Sequence, residues 1–190
     1  MNLLERVEAY PWGQELWAMS EGDADEHEIV QAMARACGPA PSVVVSTGAI
    51  GRLPSIALMD SLKRGDFGSL IVVGCYDLQN MDRYRAKDSA EVLGDCLRTV
   101  YSHAKFALVR GERSLLQLTT ANLSRARRSE SHWFTDCPTV IAHFAGVLAE
   151  WERVGWEPGH GSTYYSQAFG RMWGGRPERA LNDIVANWRL

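Results

Sequence analysis

Short runs of β-branched and aliphatic residues, separated by helical patterning, constrain the fold of this chain more than any other feature. Residues 42–47 read Ser-Val-Val-Val-Ser-Thr, and residues 70–75 read Leu-Ile-Val-Val-Gly-Cys. Runs this short and this apolar suit strands buried on both faces. Between them Pro54 opens a helix to about Arg64, which Gly65-Asp-Phe-Gly68 ends. Residues 105–109 and 115–119 are two further apolar runs, joined at Arg110-Gly111-Glu112 in the pattern of a hairpin. A short strand is expected over 132–135. Pro138 then opens a helix to about Arg153, with Val140, Phe144, Val147, Leu148 and Trp151 on one face. Spacing also predicts helices over 1–20 with a break near Pro11, over 25–37, and over 88–100 with Val92, Cys96 and Val100 four apart. Residues 76–81 read as loop. The alternation of buried strands and helices predicts a layered α/β domain.

With 190 residues the chain can bury one sizeable core. Three segments are expected: an N-terminal helical segment over 1–40 packed on the core, an α/β core over 41–155, and an aromatic extension with a terminal helix over 156–190. The extension carries Tyr164, Tyr165, Phe169, Met172 and Trp173 around Gly170, a group read as core or dimer contact ahead of base stacking. The formal net charge is -3, so any polyanion must be held by a local basic patch rather than by the whole chain. Cys37, Cys75, Cys96 and Cys137 are not at metal-knuckle spacing and read as reduced thiols of a cytoplasmic protein. The first residues lack the basic and apolar regions of a signal peptide, and no stretch has the length of a membrane span, so no membrane partner is expected.

Polar residues cluster at one end of the later strands. The first of these begins Tyr101-Ser-His103-Ala-Lys105, and the second ends Thr119-Thr120-Ala-Asn122. Arg125, Arg127 and Arg128 follow, then Glu130. These residue types suit phosphodiester chemistry. A histidine attacks phosphorus, a lysine and an asparagine hold phosphoryl oxygens, and a carboxylate orients the histidine. Ser46, Thr47 and Arg52 fall at the end of the first strand, where ligands of open α/β sheets gather. His27, His132, His143 and His160 do not group at ligand spacing.

His103-x-Lys105, with Thr119-Thr120-x-Asn122 and Glu130, resembles the phospholipase D superfamily, whose signature is His-x-Lys, a spacer with Asp, then Gly-Ser-x-Asn. The run from Asn122 to Glu130 is similar to single-motif members from phages and mobile elements. The resemblance covers about 41–151. It implies a layered α/β/α sandwich with a mixed sheet, and metal-independent, cofactor-free chemistry through a phosphohistidine. Because one motif supplies one histidine, it also implies a homodimer. His103, Lys105, Asn122, Glu130 and Thr120 are the implied catalytic set. Arg125, Arg127, Arg128 and Thr47 are the implied phosphate contacts. Short length, a single motif and Glu130 favour the nuclease branch, with DNA as substrate.

Two positions depart from the pattern. Arg110 stands where the family has Asp, and Thr119 stands at the Gly position. They motivate a second reading, an inactive phospholipase-D-like protein that binds nucleic acid or a host protein.

Overall fold

The amphipathic and β-branched segments fold into one sheet covered by helices on both faces. In the computed structural model, residues 1–75, 83–100, 102, 104–124 and 129–154 are described. In chain order they form α1 (Leu3–Glu8), β1 (Leu16–Glu21), α2 (Glu26–Cys37), β2 (Ser42–Thr47), α3 (Arg52–Arg64), β3 (Ser69–Cys75), α4 (Arg83–Leu93), a 3-10 turn (Gly94–Cys96), β4 (Leu97–Val100), β5 (Phe106–Arg110), β6 (Ser114–Thr119), β7 (Ser129–Thr135) and α5 (Pro138–Val154).

The sheet has seven strands in the order β1-β7-β6-β5-β2-β3-β4. β2, β3 and β4 run parallel, joined by helices. The other pairings are antiparallel. Residues alternate between faces, which sets two cores. On one face Val43, Val45, Val72, Val109, Leu115 and Phe134 pack with Leu3 and Val7 of α1, Ile29 and Met33 of α2 and Leu58 of α3. On the other, Phe106, Leu108 and Leu116 meet Phe144, Leu148 and Trp151 of α5. Phe106 lies edge-on to Phe144 at 5.0 Å between ring centres.

Glycine is required where chain segments touch. A β-carbon on Gly111 would stand 2.5 Å from the Cys37 carbonyl oxygen, the atom that accepts the Arg113 N–H at 3.2 Å. The tight β5–β6 hairpin therefore sits directly on the end of α2.

The structure corrects two helix expectations. The helix expected over 1–20 ends at Glu8, and Leu16–Glu21 is a strand. Only Leu16 and Ser20 of that strand are buried, and it hydrogen-bonds along β7, which would otherwise be an open edge. The segment 1–40 thus contributes a strand to the sheet as well as its helices. The helix expected over 88–100 ends at Leu93. Gly94 takes φ 49°, and Leu97–Val100 pairs in parallel with β3. The spacing of Val92, Cys96 and Val100 mimicked a helical face, but Leu97–Val100 instead covers the edge that β3 would otherwise leave open. The strand expected over 132–135 starts earlier, at Ser129. The loop expected over 76–81 and the extension over 156–190 lie outside the described residues.

Candidate functional site

The register of the sheet brings the motif halves to one end. Ser46 of β2 lies opposite Phe106, and Phe106 lies opposite Leu118. One step further, the Thr119 N–H donates to the Lys105 carbonyl at 3.2 Å. Thr119 in turn lies opposite His132, and Ser20 opposite Glu130. Lys105, Thr119, Thr120, Asn122 and Glu130 thus share the end at which parallel β2, β3 and β4 finish. In open α/β sheets this is the end that binds ligands.

Lys105 is half-buried, and among the described residues its ammonium has no ion-pair partner. Asn122 is half-buried too. Its Oδ1 is sealed from solvent and has no hydrogen-bond partner among the described residues. An amide oxygen left so costs roughly 1–3 kcal/mol, a cost that a ligand or neighbouring donor would remove.

Thr120 and Glu130 meet directly. The Thr120 hydroxyl donates to Glu130 Oε2 at 2.5 Å and accepts the Ser131 N–H at 3.0 Å. The hydroxyl expected to hold a phosphoryl oxygen is thus engaged with the carboxylate, leaving Glu130 Oε1 without a hydrogen-bond partner among the described residues. Thr47 is buried. Its hydroxyl donates to the Ala49 carbonyl and accepts the Leu123 N–H, both at 2.9 Å. It ties the turn after β2 to the chain segment that follows Asn122. Gly51 N–H to the Leu123 carbonyl, 2.6 Å, ties the same segment to the start of α3. Ser46 donates to the Ala104 carbonyl at 2.8 Å and so anchors the strand entry between His103 and Lys105. His103, Arg125, Arg127 and Arg128 lie outside the described residues.

Arg110 sits at the other end of β5, exposed and opposite Ser42 and Ser114. The departure at this position therefore lies a strand's length from Lys105. A surface cleft lined by Trp12, Arg110, Arg113, Asp136 and Ile141 lies at that far end as well. Arg113 there lies over the Trp12 ring at 4.8 Å.

Sequence reasoning missed a buried polar network beside the site. Ser20 Oγ lies 2.9 Å from His132 Nε2, and His132 Nδ1 lies 3.0 Å from both Thr119 Oγ1 and Gln117 Nε2. Gln117 Nε2 also donates to Glu26 Oε2 at 3.3 Å. Ser20, His132 and Glu26 follow the order of a nucleophile triad. They are 2%, 1% and 5% exposed, however, so no substrate reaches the serine. Burial pushes the Glu26 carboxyl up to about 8, a shift Gln117 opposes and Glu130 reinforces. Burial pulls His132 down to about 4, against the pull of Glu130 and Asp23. Both groups are thus neutral at pH 7, and their 3.9 Å approach is not an ion pair. The available signal was a polar residue inside an apolar strand: Gln117 in Leu115-Leu-Gln-Leu-Thr119, and His132 two residues from Phe134.

No family model and no curated protein matches the chain. Among solved structures it is similar to polyphosphate kinase from Porphyromonas gingivalis, with a TM-score of 0.53 and 15% identity over 85% of this chain. It is also similar to TrmBL2, an archaeal chromatin protein described as showing a novel mode of DNA binding, with a TM-score of 0.48 and 13% identity over 77% of this chain. The match takes in 29% of the kinase chain and 55% of TrmBL2, so the chain spans less than two thirds of either. At such identity the likeness to the kinase is one of fold. The seven-stranded mixed sheet between helical layers is the layered α/β/α sandwich with a mixed sheet that the sequence led one to expect.

Proposed function

We propose that the chain is a metal-independent phosphodiesterase, a nuclease that cuts DNA through a phosphohistidine at His103 and works as a homodimer. The observation that carries this reading is the 3.2 Å bond from the Thr119 N–H to the Lys105 carbonyl. It joins the segments that carry the two motif halves side by side at the end where the parallel strands finish. Lys105, without an ion-pair partner among the described residues, and Asn122, whose amide nitrogen is a donor, then stand on adjoining segments. A cation and an N–H donor are the equipment for holding phosphoryl oxygens.

In this scheme an imidazole nitrogen of His103 attacks phosphorus, and the P–O bond to the leaving oxygen breaks. The second copy's His103 supplies the proton to that oxygen. It then removes a proton from water, which attacks phosphorus and frees His103. Lys105 neutralises a non-bridging oxygen as a compact charge. The Asn122 amide donates to another. Glu130 presents Oε1 to the imidazole while Thr120 holds Oε2, which fixes the carboxylate as an orienting group. Thr47 supports the Asn122 segment from behind. Arg125, Arg127 and Arg128 extend the grip to neighbouring phosphates.

The test is to incubate the protein with labelled single- and double-stranded DNA in excess EDTA, beside His103→Ala. Cleavage by the wild type alone supports the reading. Salt-sensitive binding without cleavage across pH would replace it with the inactive phosphate-binding reading. Absence of both would leave a protein-interaction role.

A further inference from the structure

We infer that Thr119 and His132 are positioning residues for Asn122: the imidazole fixes the direction of the Thr119 hydroxyl, and the hydroxyl holds the turn that carries the asparagine. The functional half of this inference rests on the phosphodiesterase reading; the hydrogen-bond half does not.

The Thr119 hydroxyl faces two groups, the Ala121 amide and the His132 ring. The Ala121 N–H donates to its oxygen at 2.9 Å, so the single hydroxyl proton is free to go elsewhere. His132 Nδ1 lies 3.0 Å away. Nδ1 also faces Gln117 Nε2, which can only donate. Nδ1 is therefore the acceptor of the ring, and the proton is on Nε2, which donates to Ser20 Oγ at 2.9 Å. An imidazolium would set an N–H against the N–H of Gln117. That penalty and burial keep the ring neutral, so Nδ1 keeps the one lone pair that the Thr119 hydroxyl and the Gln117 amide share. The hydroxyl's own lone pairs then face the Ala121 amide.

Asn122 is thus held from both sides. Thr119 Oγ1 fixes the amide before it, and Thr47 Oγ1 fixes the Leu123 amide after it. This accounts for threonine where the resembled motif has glycine. Ala40 is the one non-glycine among the described residues with a positive φ, so position 119 has ordinary strand geometry and needs no glycine. Being β-branched suits a strand end, and the hydroxyl supplies a contact that glycine cannot make.

The test uses the full chain with Thr119→Val, which keeps the shape and removes the hydroxyl, and Thr119→Ser, which restores it. Thr119→Val is expected to speed hydrogen exchange at the Ala121 amide by about tenfold or more. In DNA cleavage it lowers kcat with little change in KM, because Asn122 acts on charge that develops in the transition state. Thr119→Ser recovers both. Unchanged Ala121 exchange in Thr119→Val, or an equal loss in the serine and valine variants, would overturn the inference. A wild-type chain that cleaves nothing would overturn its catalytic half and the proposed function together, while Ala121 exchange still decides the clamp.

Discussion

Glu26 Oε2 stands 3.9 Å from His132 Nδ1, with Gln117 bridging the two and both side chains closed off from solvent. The Glu26 carboxyl titrates near 8 and His132 near 4, so each keeps its uncharged form between those values. Folding stability follows with a definite sign. In the unfolded chain Glu26 releases its proton near 4.5, whereas the folded chain retains it to about 8. Its contribution is full below 4.5 and is lost as pH rises toward 8, at no more than about 1.4 kcal/mol per pH unit. His132 acts oppositely. Its contribution is full above 6.5 and is lost as pH falls toward 4. Urea unfolding from pH 5 to 9 is expected to show the alkaline loss in the wild type and a flatter curve in Glu26→Gln. Equal slopes for the two proteins would contradict a protonated Glu26.

Lys105 has no ion-pair partner among the described residues, so its replacement disturbs little else. Lys105→Gln is expected to fold with a near wild-type thermal midpoint and to lose roughly 10²–10³ in kcat for phosphodiester cleavage, the scale for one charge-stabilising donor. Steady-state kinetics beside a melting curve checks it. Comparable losses of kcat and thermal stability would make Lys105 structural instead.

The β5–β6 hairpin has no room for a side chain at Gly111, where a β-carbon would meet the Cys37 carbonyl at 2.5 Å. Both contacting groups are backbone. Gly111→Ala is expected to destabilise by about 1–3 kcal/mol. It would leave cleavage per folded molecule unchanged, since the hairpin is at the far end of the sheet from Lys105. Denaturant unfolding with active-site titration decides it.

DNA affinity is expected to fall with salt, with a log–log slope near -0.9 per phosphate contacted. Replacing Arg125, Arg127 and Arg128 together by alanine should flatten that slope by up to about three such contacts. An unchanged slope would assign the arginines to another surface role.

The fold was legible where one period dominated. The apolar runs of β2, β3, β5 and β6 and the amphipathic stripe of α5 read correctly, because burial on both faces or on one stripe leaves a local pattern. Leu16–Glu21 and Leu97–Val100 did not. They are strands because β7 and β3 offer unpaired edges, a tertiary fact that local spacing does not carry. The site divides the same way. Lys105, Thr120, Asn122 and Glu130 stood out by motif spacing. The roles of Thr47 and His132 depend on which strand lies beside which, since Thr47 meets Leu123 and His132 meets Thr119 across the sheet. Arg110 looked disruptive by its place in the motif, yet the strand carries it to the opposite end of the sheet.

The proposed chemistry requires a covalent intermediate on His103. The direct measurement is to mix the protein with phosphorus-labelled DNA in EDTA, quench in alkaline detergent and look for label bound to protein. A labelled adduct is expected that survives alkali, is lost in acid as a phosphorus–nitrogen bond is, and is absent from His103→Ala. Cleavage without any such adduct, or an equal adduct on His103→Ala, would contradict it.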